Sequence, residues 1–138
     1  MVYKKTEIRN IVLNYVHNLQ KKIPVKRVIL FGSYAYGRPT KASDIDIAVI
    51  SDKFKRMDDI RRIMLLSDYA RRVKSSVDID PIGFTEEELK KADYFDIAGE
   101  IAEKGIVVYE ATEGKRMGHP LTPINRPFEN MIATSKER

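Results

Sequence analysis

Asp44 and Asp46 stand two residues apart in the run Ser43 to Ile50, "SDIDIAVI". In an extended chain that spacing sends both carboxylates to one face, while Ile45, Ile47 and Val49 point the other way, into a core. Two like charges side by side repel, and taking either out of water is costly. A divalent cation removes that cost: magnesium takes oxygen ligands and commonly joins one or two carboxylates to substrate phosphates. Two such ions about 3.5–4 Å apart can clamp the attacking and leaving oxygens of a phosphoryl transfer. Upstream, Gly32 and Ser33 end an apolar run. Gly32 can take a positive φ and lets a ligand approach the backbone. Ser33, at the start of a short helix, would add a hydroxyl to the N–H groups and dipole that favour an anion. One feature suits phosphate, the other metal, and a single turn can bring them together. Taken singly, each has a plainer reading: Asp-x-Asp is common on solvated strands, and Gly-Ser often only turns the chain.

Gly32 and Gly37 are spaced as in a Walker A loop, but Arg38 and Pro39 follow where that loop needs Lys and Ser or Thr. Proline offers neither hydroxyl nor N–H, so the P-loop reading fails at the positions that carry its chemistry. Arg38, Lys41, Arg61, Arg62, Arg71, Arg72 and Lys74 could neutralise phosphates. Arg38 is the best placed, in the loop itself, whereas most of the others suit a solvated helix face. Tyr34 and Tyr36 could stack a base or simply pack beside the loop. His17 and His119 carry no motif.

The elements that must position these residues follow from periodicity. Ile8, Ile11, Val12, Tyr15, Val16 and Leu19 recur at helical spacing between Glu7 and Leu19. "VKRVILF", Val25 to Phe31, is a buried strand, and Ser43 to Ile50 is the next. Asp58 to Val73 reads as a helix with Ile60, Ile63 and Met64 among its apolar positions, and with Asp58 and Asp59 in the first turn, where the dipole favours anions. Ser75 to Phe84 is a third strand. Thr85 and Glu88 form a capping box for a helix through Lys91. "YFDIAGEIAEKG" is a short helix stopping at Gly105, and Ile106 to Glu110 is a last strand. The order α-β-(short α)-β-α-β-α-α-β predicts an α/β (α+β) domain, a small mixed sheet flanked by helices. Three of the six prolines fall after Glu110 with no sustained period. Residues 111–138 therefore read as a flexible tail that a partner could order, following a domain over 1–110.

The 138 residues suit one domain with a real core. Apolar residues make up 43 % and charged residues 33 %, which fits a globular chain. No cysteine is present, which excludes disulfides and thiolate zinc sites. No apolar stretch has the length of a signal peptide or a membrane span, so a cytoplasmic location is expected. The net charge of +5 favours anionic partners. The positive charge is scattered and matches no nucleic-acid motif, which weakens a nucleic-acid reading.

"GS", ten residues, then "DID" resembles the signature of the DNA polymerase β-like nucleotidyltransferases. Size and "SDIDIAV" are most similar to the minimal nucleotidyltransferases of prokaryotes, the antitoxin-type partners of HEPN proteins. The likeness runs from about Val25 to Glu110, with the first helix as lead-in. It implies a nucleotidyltransferase fold and a third carboxylate on a later strand. "VDIDPI" supplies Asp78 and Asp80, and face geometry cannot choose between them. The family's hydrophobic-Asp-hydrophobic triplet fits "VDI" best, which puts Asp78 first and Asp80 second.

The resemblance further implies a nucleoside triphosphate over Gly32 and Ser33, aided by Arg38, with two magnesium ions held by Asp44, Asp46 and Asp78. Asp78 could also help deprotonate the attacking hydroxyl. AMP would move from ATP to a hydroxyl, a tyrosine of a partner HEPN toxin, so that the chain acts as an antitoxin. The alternative is a catalytically silent antitoxin that neutralises its partner by contact, for which the apolar Ile60/Ile63/Met64 face leaves room.

Overall fold

A computed structural model describes residues 3–91 and 96–111. The expected tail beyond Ala111 and the start of the "YFDIAGEIAEKG" helix lie outside the described residues. The elements are α1 (Lys5–Leu19), β1 (Arg27–Phe31), α2 (Ser33–Tyr36), β2 (Ile45–Ile50), a 3-10 turn (Asp52–Arg56), α3 (Asp59–Ala70), β3 (Ile79–Phe84), α4 (Glu86–Lys90), α5 (Ile97–Lys104) and β4 (Ile106–Glu110). The sheet order is β3-β2-β1-β4. β1 is antiparallel to β2 and β4, and β2 is parallel to β3 through the α3 crossover. This is the expected mixed sheet. The 3-10 turn was not anticipated, and β3 begins four residues later than its apolar run suggested.

β1 and β2 read as near-continuous apolar runs because both of their faces are covered. Val28, Leu30, Ile45, Ile47 and Val49 meet the α1 stripe of Ile8, Val12, Tyr15, Val16 and Leu19 on one face. Ile29, Phe31, Ala48 and Ile50 meet Leu89, Ala98 and Ile101 of α4 and α5 on the other. The buried Tyr15 hydroxyl donates to Leu66 O at 2.9 Å and ties α1 to α3, and burial pushes its phenol pKa well up. Asp46 shares the parity of Ala48 and Ile50, so its side chain leaves the sheet on the α4/α5 face. Those helices stop short of it, and it remains half-buried.

α3 turns an arginine inward. Arg62 is only 8 % exposed, and Leu66 lies one turn on. The guanidinium donates to the carbonyls of Met57 (3.0 Å), Phe54 (2.6 Å) and Gly83 (3.2 Å), and holds Glu88 through both carboxylate oxygens (2.7 and 3.0 Å). It also lies over the Phe54 ring at 5.4 Å. Its fork is thus spent on the fold, and it neither neutralises phosphate nor forms a solvated helix face. Those Arg62 bonds hold the Glu88 pKa below the usual carboxylate value. The Thr85–Glu88 capping box is present as read from the sequence.

Ile60, Ile63 and Met64 lie on the opposite side of α3 and are 67 %, 53 % and 65 % exposed. β3 is a sheet edge. The carbonyls of Asp78, just before β3, and of Phe84, at its end, accept from Ile45 and Ser51 N–H, so the even-numbered main chain faces β2 and that of residues 79, 81 and 83 faces outward. Among the described residues, no helix is long and apolar enough to cross a membrane.

Candidate active site

Gly32 ends β1 with φ 76° and ψ −154°, and it alone among the described residues has a positive φ. An L side chain is strained there. A second constraint comes from β2: a Cβ on Gly32 would overlap Asp46 Oδ2. The carboxylate therefore lies directly against the backbone of the turn, as the Phe31–Asp46 pairing requires. α2 follows at once. Ala35 and Tyr36 N–H close back onto Gly32 O at 3.0 and 3.1 Å. The N–H groups of Ser33 and Tyr34 open the helix, where no intrahelical acceptor exists. Ser33, half-exposed, presents its hydroxyl at the same place.

The parallel register sets Asp80 opposite Asp46. The Asp46 pKa is pushed up to about 6, first by burial, then by the charges of Asp80 and Asp44, and then by hydrogen bonding with Asp80. Asp80 thus lies beside Asp46 across the β2–β3 pairing, and Asp44 comes just before β2.

The structure does not place Asp78 in this group. Asp78 comes just before β3, gives its carbonyl to Ile45 N–H at 2.8 Å, and borders a different cleft with Ala70, Arg71 and Val73. Alternation alone put 78 and 80 on one face, and the pairing with β2 distinguishes them.

Among the described residues, no three acidic or histidine side chains gather tightly enough to cage an ion as they stand. A cage is not what magnesium needs, because it commonly uses one or two carboxylates and completes its shell with water and phosphate. Asp46, half-buried and with Asp80 opposite it, fits such an ion, since a cation relieves the repulsion that burial aggravates.

Arg38 is exposed and follows α2 directly. The loop beyond it is fixed by Thr40 N–H to Ser43 Oγ (2.8 Å) and Ser43 N–H to Thr40 O (3.0 Å), which delivers the chain to Asp44. Tyr34 is buried in the α1-side core and cannot stack a base. Tyr36 is 41 % exposed, with Lys104 Nζ 5.7 Å from its ring centroid. Arg71 and Arg72 pair with Asp68 at 3.3 and 2.9 Å, and Arg72 lies over Tyr69, at the far end of α3. His17 is exposed on α1, and His119 lies outside the described residues.

The family model "Polymerase beta, Nucleotidyltransferase" matches residues 14–114. This chain belongs to that family. As a polymerase β-type nucleotidyltransferase, it resembles two Methanocaldococcus jannaschii proteins provisionally named protein adenylyltransferases. MJ1215 is 34 % identical over 68 residues, 49 % of this chain and 76 % of the relative. MJ0604 is 36 % identical over 86 residues, 62 % of this chain and 79 % of the relative. Two solved structures share the fold. A Sulfolobus solfataricus chain, provisionally assigned as a nucleotidyltransferase, superposes with TM-score 0.59 at 19 % identity, covering 83 % of this chain and 90 % of that one. A chain of a toxin–antitoxin complex with AMP-PNP gives 0.53 at 22 % identity, covering 94 % and 86 %.

Proposed function

We propose that this nucleotidyltransferase moves AMP from ATP to a hydroxyl of a partner protein, a tyrosine of a HEPN-type toxin, and thereby acts as an antitoxin. The observation that carries the reading is the Asp46 carboxylate lying on the Gly32 backbone with Asp80 beside it. Phosphate-binding turn and carboxylates thus form one site. The names of the M. jannaschii relatives support AMP transfer to protein, and the toxin–antitoxin neighbours support a protein partner. The transferase unit is assigned to residues 1–110, with 111–138 available to the partner.

In this mechanism Gly32 lets the triphosphate approach the main chain, while Ser33 donates its hydroxyl to a phosphate oxygen. Arg38 stands at the loop to offset phosphate charge. Asp44, Asp46 and Asp80 would hold divalent metal, magnesium by ligand chemistry, which when bound draws phosphate oxygens to the carboxylates and offsets their charge. Asp80, exposed where Asp46 is half-buried, would accept the proton of the attacking hydroxyl. The acceptor oxygen bonds to the α-phosphorus, the bond to the β-bridging oxygen breaks, and pyrophosphate leaves. Position and charge supply the rate.

The exposed Ile60, Ile63 and Met64 favour a second reading, in which the chain silences a protein partner by contact through α3. One experiment separates the two. The protein is incubated with magnesium, α-labelled ATP and the product of the adjacent gene. Label on the partner that disappears in both Asp44→Asn and Asp46→Asn supports transfer. A tight complex that never takes label, and that dissolves when Ile60, Ile63 and Met64 become serine, supports contact alone.

A further inference from the structure

Among the described residues, the carboxylates that the sheet register brings to the Gly32–Ser33 turn come from β2 and from β3 beside it. Across the sheet end the order runs from β3 with Asp80, to β2 with Asp46, to β1 and the turn, and then to β4. On the β4 side the neighbouring group is the last residue of α5, Lys104. Gly105 fixes its position, because a Cβ there would overlap Ile29 Cγ2 and the main chain of Ile101. The close approach draws the end of α5 down onto β1 just before Phe31. β4 then starts with Ile106 paired to Leu30.

Lys104, ending the helix that packs on the α4/α5 side of the sheet, therefore stands on the side to which Asp46 and Asp80 project, at the end of β1 that carries the turn. Its ammonium leans over the Tyr36 ring at 5.7 Å, a contact that aims it at α2. Among the described residues no carboxylate pairs with it.

We infer that Lys104 is a phosphate-binding residue of the nucleotide site, holding the terminal phosphates on the side of the turn away from the carboxylates. This rests on the nucleotidyltransferase reading of the site above. A triphosphate laid across Gly32 and Ser33 carries more negative charge than the carboxylate side can accept without a cation. On the β4 side a fixed positive group offsets that charge, and a lysine ammonium is a compact charge suited to phosphate. The plain alternative is a lysine that only complements the α5 dipole. That role would appear in the melting temperature and not in ligand affinity.

Equilibrium binding tests it, using fluorescent ATP and AMP analogues with magnesium, on wild type, Lys104→Gln, Lys104→Arg and a control, Lys55→Gln, at the opposite end of the sheet. The expected result is ATP affinity about ten-fold weaker in Lys104→Gln, with AMP affinity within about two-fold, near-complete retention in Lys104→Arg, and no change in Lys55→Gln. ATP affinity in Lys104→Gln equal to wild type overturns the inference while leaving the site reading intact. An equal loss in Lys55→Gln also overturns it, as an effect of net charge. Wild type that fails to bind ATP in the presence of magnesium overturns the site reading, and the role of Lys104 with it.

Discussion

Replacing Asp46 with asparagine is expected to make the metal-free protein more stable while removing its chemistry. The Asp46 pKa stands at about 6 against an ordinary 3.8. Above pH 6 the folded chain holds an ionised carboxylate that its surroundings disfavour, whereas the unfolded chain holds it in water. A shift of about 2 units corresponds to about 3 kcal/mol, and solvent screening of this half-open group reduces that to about 1–2 kcal/mol.

The penalty is absent below about pH 4, where both states are protonated, grows through the window between 3.8 and about 6, and is complete above it. Asparagine keeps the shape, fits against Gly32 and can donate to Asp80. Urea unfolding followed by circular dichroism, in the presence of chelator, should show Asp46→Asn more stable than wild type by about 1–2 kcal/mol near pH 7.5, with little gap near pH 4. An Asp46→Asn protein no more stable than wild type near neutrality, or a gap that does not depend on pH, would refute the account of the carboxylate cluster.

Gly32→Ala should destabilise the fold by at least about 1–2 kcal/mol from the left-handed backbone alone, and should abolish detectable ATP binding by pushing Asp46 off the turn. Calorimetric titration on the folded variant checks the second part, and unaltered ATP affinity would contradict it. Arg62→Ala should cost about 2–4 kcal/mol in urea unfolding, since it leaves three carbonyls without their donor while the exposed Glu88 keeps its Thr85 contact, and should leave ATP affinity unchanged in whatever fraction remains folded.

The existence and order of the helices and strands were legible because the apolar periods are strong and both sheet faces are covered. The approach of Asp46 to the Gly32 turn was legible too, from residue type and spacing. That Asp80, and not Asp78, stands opposite Asp46 was not, because 78 and 80 share a parity and only the alignment of β3 against β2 distinguishes them. Tyr34 could not be told from Tyr36, since a four-residue helix has no period to read. Arg62 was hidden for a different reason. An inward arginine needs acceptors from three separate stretches, Phe54 to Met57, Gly83 and Glu88, which only the folded chain brings together. Lys104 carries no motif, and its place depends on the tight Gly105 contact with Ile29.

The outer rim of β3 has a bearing on how this protein behaves in a crowded solution. Pro81 points its ring nitrogen outward, where an extended visitor would look for a donor, and the Gly83 oxygen is already engaged by Arg62. A strand added along that side would lack the Pro81 donor and compete with Arg62 for the Gly83 oxygen. Strand addition on this flank is thereby weakened, while Ile60, Ile63 and Met64 stay exposed on α3 for recognition.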